Sequence, residues 1–265
     1  EIKAGTYALF MAMGADNITL IFSNQNEAWG SFSYKPEDDV LRVDVKPVTL
    51  DKSVEWLKYE FIEHGEKHCV VAMQWEKISV PFKIAVDVDN IVIASLRREM
   101  TGRKSFTPAL ELQAAQYCLN KNINLEEALR WSKNAVDGPA GQRTYITLRN
   151  LAVAYEKLNR IPEADSIMTA ALQIATANQY TAYGRQLIGQ KRADKALEIF
   201  NAGQKKSGDV YAVNAGYMSY YSATGNFTKA LGYANAALTQ APNEATKKII
   251  EGNIGKLKEG KDINQ

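Results

Sequence analysis

The chain is poor in the residue types that would announce a function by themselves. It holds two cysteines, Cys69 and Cys118, and two histidines, His64 and His68, in 265 residues. So few thiols and imidazoles build neither a disulfide framework nor a Cys/His cluster, and both cysteines read as ordinary buried thiols. No apolar run approaches the ~20 residues of a membrane-spanning helix. Lysine plus arginine (32) almost cancel aspartate plus glutamate (30), which leaves no electrostatic case for nucleic acid or an anionic membrane surface. No G-x-S-x-G, P-loop or H-E-x-x-H occurs, so the sequence calls for no cofactor and names no catalytic residue.

What is present is ordinary globular composition, 46% apolar and 23% charged, in a chain long enough for two domains. Residues 4–87 alternate apolar and polar side chains with period two, the pattern of half-buried strands. Six strands are expected: Ala4–Met13, Ile18–Ser23, Val40–Val45, Val54–Ile62, Cys69–Trp75 and Ile78–Val86. Gly14-Ala15-Asp16-Asn17 and Glu63-His64-Gly65-Glu66-Lys67 supply turns, and Pro81 marks an edge or a strand start. No helix interrupts this run, which indicates an antiparallel sheet or sandwich.

At Asp87 the period changes to that of a helix. Asp87 or Asp89 is placed to cap a helix through about Met100, followed by the basic loop Thr101-Gly102-Arg103-Lys104. The fold class is therefore α+β in two domains: 1–87 a β domain, 88–107 a connecting helix and loop, and 108–265 all-helical.

The helical half repeats itself. Leu125–Leu129, Ile161–Asp165, Ala193–Leu197 and Phe227–Leu231 align on Ala128, Ala164, Ala196 and Ala230, in steps of 36, 32 and 34 residues. The tetratricopeptide (TPR) period is about 34. Seven positions after each alanine stands Ala135, Ala171, Gly203 or Ala237, small residues suited to a close helix crossing. The second unit matches best, with Leu148, Leu151, Ala152, Tyr155, Ala164 and Ala171 in the expected places. Pro242 ends the fourth unit, and Ala245–Leu257 reads as a capping helix. The expectation is a TPR-type superhelix of four hairpins.

In such an array the first helix of each hairpin faces a concave groove. The groove positions include Arg149, Glu156 and Lys157 in the second unit, Asn178 and Arg185 in the third, and Ser219 in the fourth. Arg149 and Arg185 are suited to a peptide carboxylate or another anion. His64 and His68, with Glu63, Glu66 and Cys69 alongside, are a weak metal candidate, because a tight site needs ligands from a second segment. A solvated hairpin tip accounts for them. Asp87, Asp89 and Asn90 lack the glycine and later glutamate of a calcium loop. Gly138-Pro139-Ala140-Gly141 reads as the turn between two repeats.

Ala4-Gly5-Thr6-Tyr7-Ala8-Leu9-Phe10, Trp29-Gly30-Ser31-Phe32-Ser33-Tyr34 and Asp38-Asp39-Val40-Leu41-Arg42-Val43 resemble one family, the bacterial secreted proteins grouped as domain of unknown function 2911. The resemblance covers residues 3–87 and implies export to the periplasm or cell surface. It implies no activity. Family members carry a further β segment upstream of Ala-Gly-Thr-Tyr, with a Trp-Arg-x-Gly-Ala-Asn-Glu-like motif, and nothing corresponding precedes Glu1. The expected consequence is an unpaired sheet edge open to self-association. Together these readings point to a non-catalytic exported protein that binds a protein or peptide through its TPR groove. The alternative is a cell-envelope hydrolase with its site in the β domain or at the domain junction.

Overall fold

The computed structural model describes residues 1–14, 16–102 and 107–264. Ala15, in the first expected turn, and Arg103–Lys104, in the basic loop, lie outside the described residues. The chain divides into two units, residues 1–95 and 96–265.

In the first unit, β1 (Ala8–Met13), β2 (Ile18–Ser23) and β3 (Asp39–Val45) form an antiparallel sheet in that order. A single 3-10 turn, Pro36–Asp38, leads into β3. The second sheet is an antiparallel ribbon of β4 (Val48–His64) and β5 (His68–Ala85). Ile18 and Leu20 of β2 pack with Val71, Val80 and Phe82 of β5 in one buried cluster, and the Phe22 and Phe82 rings meet edge-on at 6.5 Å. The two sheets thus share a core, as period-two alternation requires.

The count is five strands among the described residues, against the six expected. Cys69–Trp75 and Ile78–Val86 run on as one extended stretch, β5, that doubles back at Glu76, where φ is 48°: the Val86 N–H donates to the Lys67 carbonyl at 2.9 Å. The ladder shifts register there, pairing Val54 with Glu76 but Thr49 with Ile78. Val71 and Met73 face the core from odd positions on the first arm, and Val80 and Phe82 from even ones on the second. The break in alternation seen in the sequence is the reversal between the two arms. Pro81 lies beyond Ser79, the last residue paired with β4, so its missing N–H costs no rung of that ladder. The first strand starts at Ala8, four residues later than expected, and β4 starts at Val48, six residues earlier than expected.

Helix α1 (Val88–Met100) begins where Asp87 accepts the Asn90 N–H at 3.1 Å, which satisfies one of the orphan donors of its first turn. The boundary between the two units falls within this helix.

The second unit is helical. Hairpins α2/α3 (Pro108–Lys121, Leu125–Asp137), α4/α5 (Tyr145–Lys157, Ile161–Ile174), α6/α7 (Ala177–Gly189, Ala193–Ser207) and α8/α9 (Tyr211–Ala223, Phe227–Thr239) are followed by α10 (Glu244–Lys258). Thr144 and Thr176 each cap the following helix reciprocally with the residue three positions on, Thr147 and Gln179. Ala128, Ala164, Ala196 and Ala230 are all buried, as are Ala135, Ala171, Gly203 and Ala237. At the tightest crossing, a Cβ on Gly184 would stand 2.3 Å from the Phe200 ring, and one on Gly216 would stand 2.7 Å from it. Only glycine lets α6 and α8 approach that ring so closely. Gly138–Gly141 forms the turn between α3 and α4. Among the described residues no helix is long and apolar enough to cross a membrane. Cys69 is half-buried in β5, Cys118 is buried in α2, and no disulfide joins them.

Candidate groove on the first helices of the hairpins

The first helices of the four hairpins, α2, α4, α6 and α8, present one continuous polar row. It starts in a hollow lined by Gln116 and Asn120 of α2, Ile146, Arg149 and Val153 of α4, and Gln186 of α6. The Arg149 guanidinium donates to the Gln186 side-chain oxygen. One residue back, Arg185 donates from Nε to the Ser219 hydroxyl at 3.0 Å and from Nη2 to the Ala215 carbonyl at 3.1 Å. Each bridge spans about one repeat, so equivalent turns of successive hairpins hold the row together.

Electrostatics give the row its chemistry. Arg149 and Arg185 have no carboxylate within ion-pair distance among the described residues. Arg97 and Arg160 of this unit, by contrast, pair with Glu127 and Glu163. Arg185 keeps solvent-accessible surface, yet the protein around it desolvates the cation and lowers its pKa. Both hold for a side chain on the inner wall of a groove. Such a cation gains more from an incoming anion than a fully hydrated one does.

A second hollow opens beside the row, between α4/α5 and α6. Ala152, Val153, Ile161, Ala164, Met168 and Tyr183 form its apolar lining, and Arg149, Glu156, Asp165, Gln186 and Arg192 its polar groups. Burial raises the pKa of Tyr183, keeping the phenol neutral.

Of the residues singled out from the sequence, the structure brings Arg185 and Ser219 into direct contact and sets Arg149 and Glu156 around one hollow. Lys157 is exposed and reaches Asn122 at 3.5 Å, and Asn178 is exposed on the first turn of α6. His68 contacts Glu63 at 2.9 Å, while His64 stacks on Phe61 with centroids 6.0 Å apart. The two rings thus take separate partners. No group of three or more His, Cys, Asp or Glu able to hold a metal occurs among the described residues.

Sequence reasoning missed Gln116, Asn120, Ile146 and Gln186. Repeating the spacing of Arg149 by one period and scanning a turn either way would have reached Gln186. It also missed the C-terminal segment that lies on α8, for which no periodic signal exists.

Residues 1–84 match the family model described as Protein of unknown function (DUF2911). The DUF2911 match takes in β1 to β4 and all but the last residue of β5, and it stops short of every helix. No curated protein matches the chain.

Proposed function

We propose that the protein is a non-catalytic binding protein whose helical unit is a TPR-type array, and that the α2-α4-α6-α8 row is its concave face and receives a peptide or protein segment. One observation carries this reading. Arg149 and Arg185 stand on one wall, tied to neutral amide and hydroxyl groups and to no carboxylate. A guanidinium held by neutral partners keeps its charge available for an acidic side chain or a terminal carboxylate. The burial of the aligned small residues and the near-34-residue spacing of the cross-hairpin bonds support the TPR assignment. Export to the periplasm or cell surface belongs to the same reading and rests on the DUF2911 resemblance. Cell fractionation of the native host tests it.

The groove is tested by panning a displayed peptide library against the full chain and measuring the enriched peptides by calorimetry. Acidic peptides are expected to bind, and Arg149→Ala/Arg185→Ala to weaken them at least about ten-fold, the loss of one or two charge-assisted bonds. Binding that ignores the double substitution removes the groove from the reading.

A further inference from the structure

The α8 end of the row already carries a peptide segment, the chain's own. After α10 the backbone turns through Gly260 at φ 69° and runs back across α8. The Ser222 hydroxyl donates to Asp262 Oδ1 at 2.7 Å and accepts the Ile263 N–H at 2.9 Å. Asn264 Nδ2 donates to the Ser219 carbonyl at 2.9 Å. Ile263 packs against the cluster of Met218, Ala230, Ala234 and Ile250. The three residues thus use three different means of attachment: a carboxylate on a hydroxyl, an aliphatic side chain on an apolar cluster, and a carboxamide on a backbone carbonyl. They climb α8 one turn from Ser222 to Ser219, and Ser219 is the residue that Arg185 grips.

We propose that this end of the groove is a site for an extended peptide with an acid–aliphatic–amide run, and that Asp262-Ile263-Asn264 occupies it as a tethered stand-in. The inference rests on the groove reading above and adds its register and preferred side chains. α8 is suited to the part because Ser219 and Ser222, one turn apart, are small and offer a backbone carbonyl and a hydroxyl to the segment. Burial by itself would raise the Asp262 carboxyl, but its bonds from Ser222 and from the Asn264 backbone and side chain outweigh that and hold it below the usual carboxylate range. The stand-in therefore binds as an anion at neutral pH. Tethering gives it a high effective concentration, so a free peptide must displace it.

The test uses the full chain and a fluorescent peptide, Gly-Lys-Asp-Ile-Asn-Gln. Asp262→Ala/Asn264→Ala weakens the stand-in and is expected to bind the probe at least about ten-fold more tightly than the unaltered chain, by removing tethered competition. Adding Ser222→Ala is expected to reverse the gain. Equal binding by both chains, or by neither, overturns the proposal. In the unaltered chain, where no folding question arises, saturating probe is expected to speed hydrogen exchange at the Ile263 N–H, and unchanged exchange also overturns it. Library peptides that need Arg149 and Arg185 while this probe fails would sink the present inference and leave the groove standing. The converse result would sink the arginine-based reading alone.

Discussion

Arg185 and Ser219 stand 34 positions apart in the chain and 3.0 Å apart in space, joined by Nε donating to Oγ. The separation is one repeat, so the bond links equivalent faces of α6 and α8. Arg185 also reaches the Ala215 carbonyl, which makes the link two-pronged. A planar fork makes both contacts from two nitrogens held at a fixed spacing, which a single ammonium nitrogen does not reproduce.

Replacing Arg185 by alanine is therefore expected to cost about 1.5–3 kcal/mol, the net worth of a charged donor's hydrogen bonding. Arg185→Lys should recover less than half of that. Urea unfolding of the three chains reads it directly, and full recovery by lysine would contradict the fork.

Gly184→Ala places a Cβ 2.3 Å from the Phe200 ring. Overpacking of this kind costs about 1–3 kcal/mol. Gly184→Ala with Phe200→Leu should be more stable than the sum of the two single changes predicts, because the smaller side chain gives the new methyl room. Thermal melts of the four chains decide it; strict additivity would refute the contact.

Burial raises the pKa of Glu111, against the lowering effect of its bond from Asn134 Nδ2 at 3.1 Å. A raised folded pKa means stability that is complete below the unfolded value of about 4.3 and lost as pH climbs through the folded one. Glu111→Gln keeps the acceptor oxygen and removes the charge. It is expected to melt above the unaltered chain at pH 7, with the gap closing toward pH 4. A gap independent of pH would rule out the titration.

β4 pairs with β5 on one side and has no strand on the other among the described residues. Trp56 is 84% exposed and Phe61 60% exposed, and Leu57, Tyr59 and Ile62 are also open to solvent. An uncapped edge with this side-chain content favours strand-to-strand association. Light scattering across concentration is expected to show self-association by the full chain, and Phe61→Lys to reduce it. A monomer at all concentrations would refute the expectation.

The helical half was legible because its alanines recur every 32 to 36 residues, and a repeat announces each hairpin several times over. The strands were legible wherever alternation ran unbroken, as in Ile18–Ser23. The change of parity at Glu76 was legible too, because it marks the reversal between the two arms of β5. Val48-Thr49-Leu50 was missed. Asp51-Lys52-Ser53 looks like a loop, but it continues the strand past an irregular stretch of the ladder. Residue type and period singled out Arg149, Arg185 and Ser219, and the structure sets Arg185 against Ser219. The placement of Asp262–Asn264 depends on a turn after the last helix, which no period encodes.

The Phe200 ring belongs to α7, yet it fills the gap that Gly184 leaves on α6 and Gly216 leaves on α8. Tyr217 of α8 closes over it, with centroids 6.0 Å apart. No one of these three helices can peel away without exposing the ring, so the third hairpin and the start of the fourth form a single cooperative opening unit. Their amides should share one exchange rate under native conditions, and the slowest-opening part of the array is then its middle, with fraying confined to the ends.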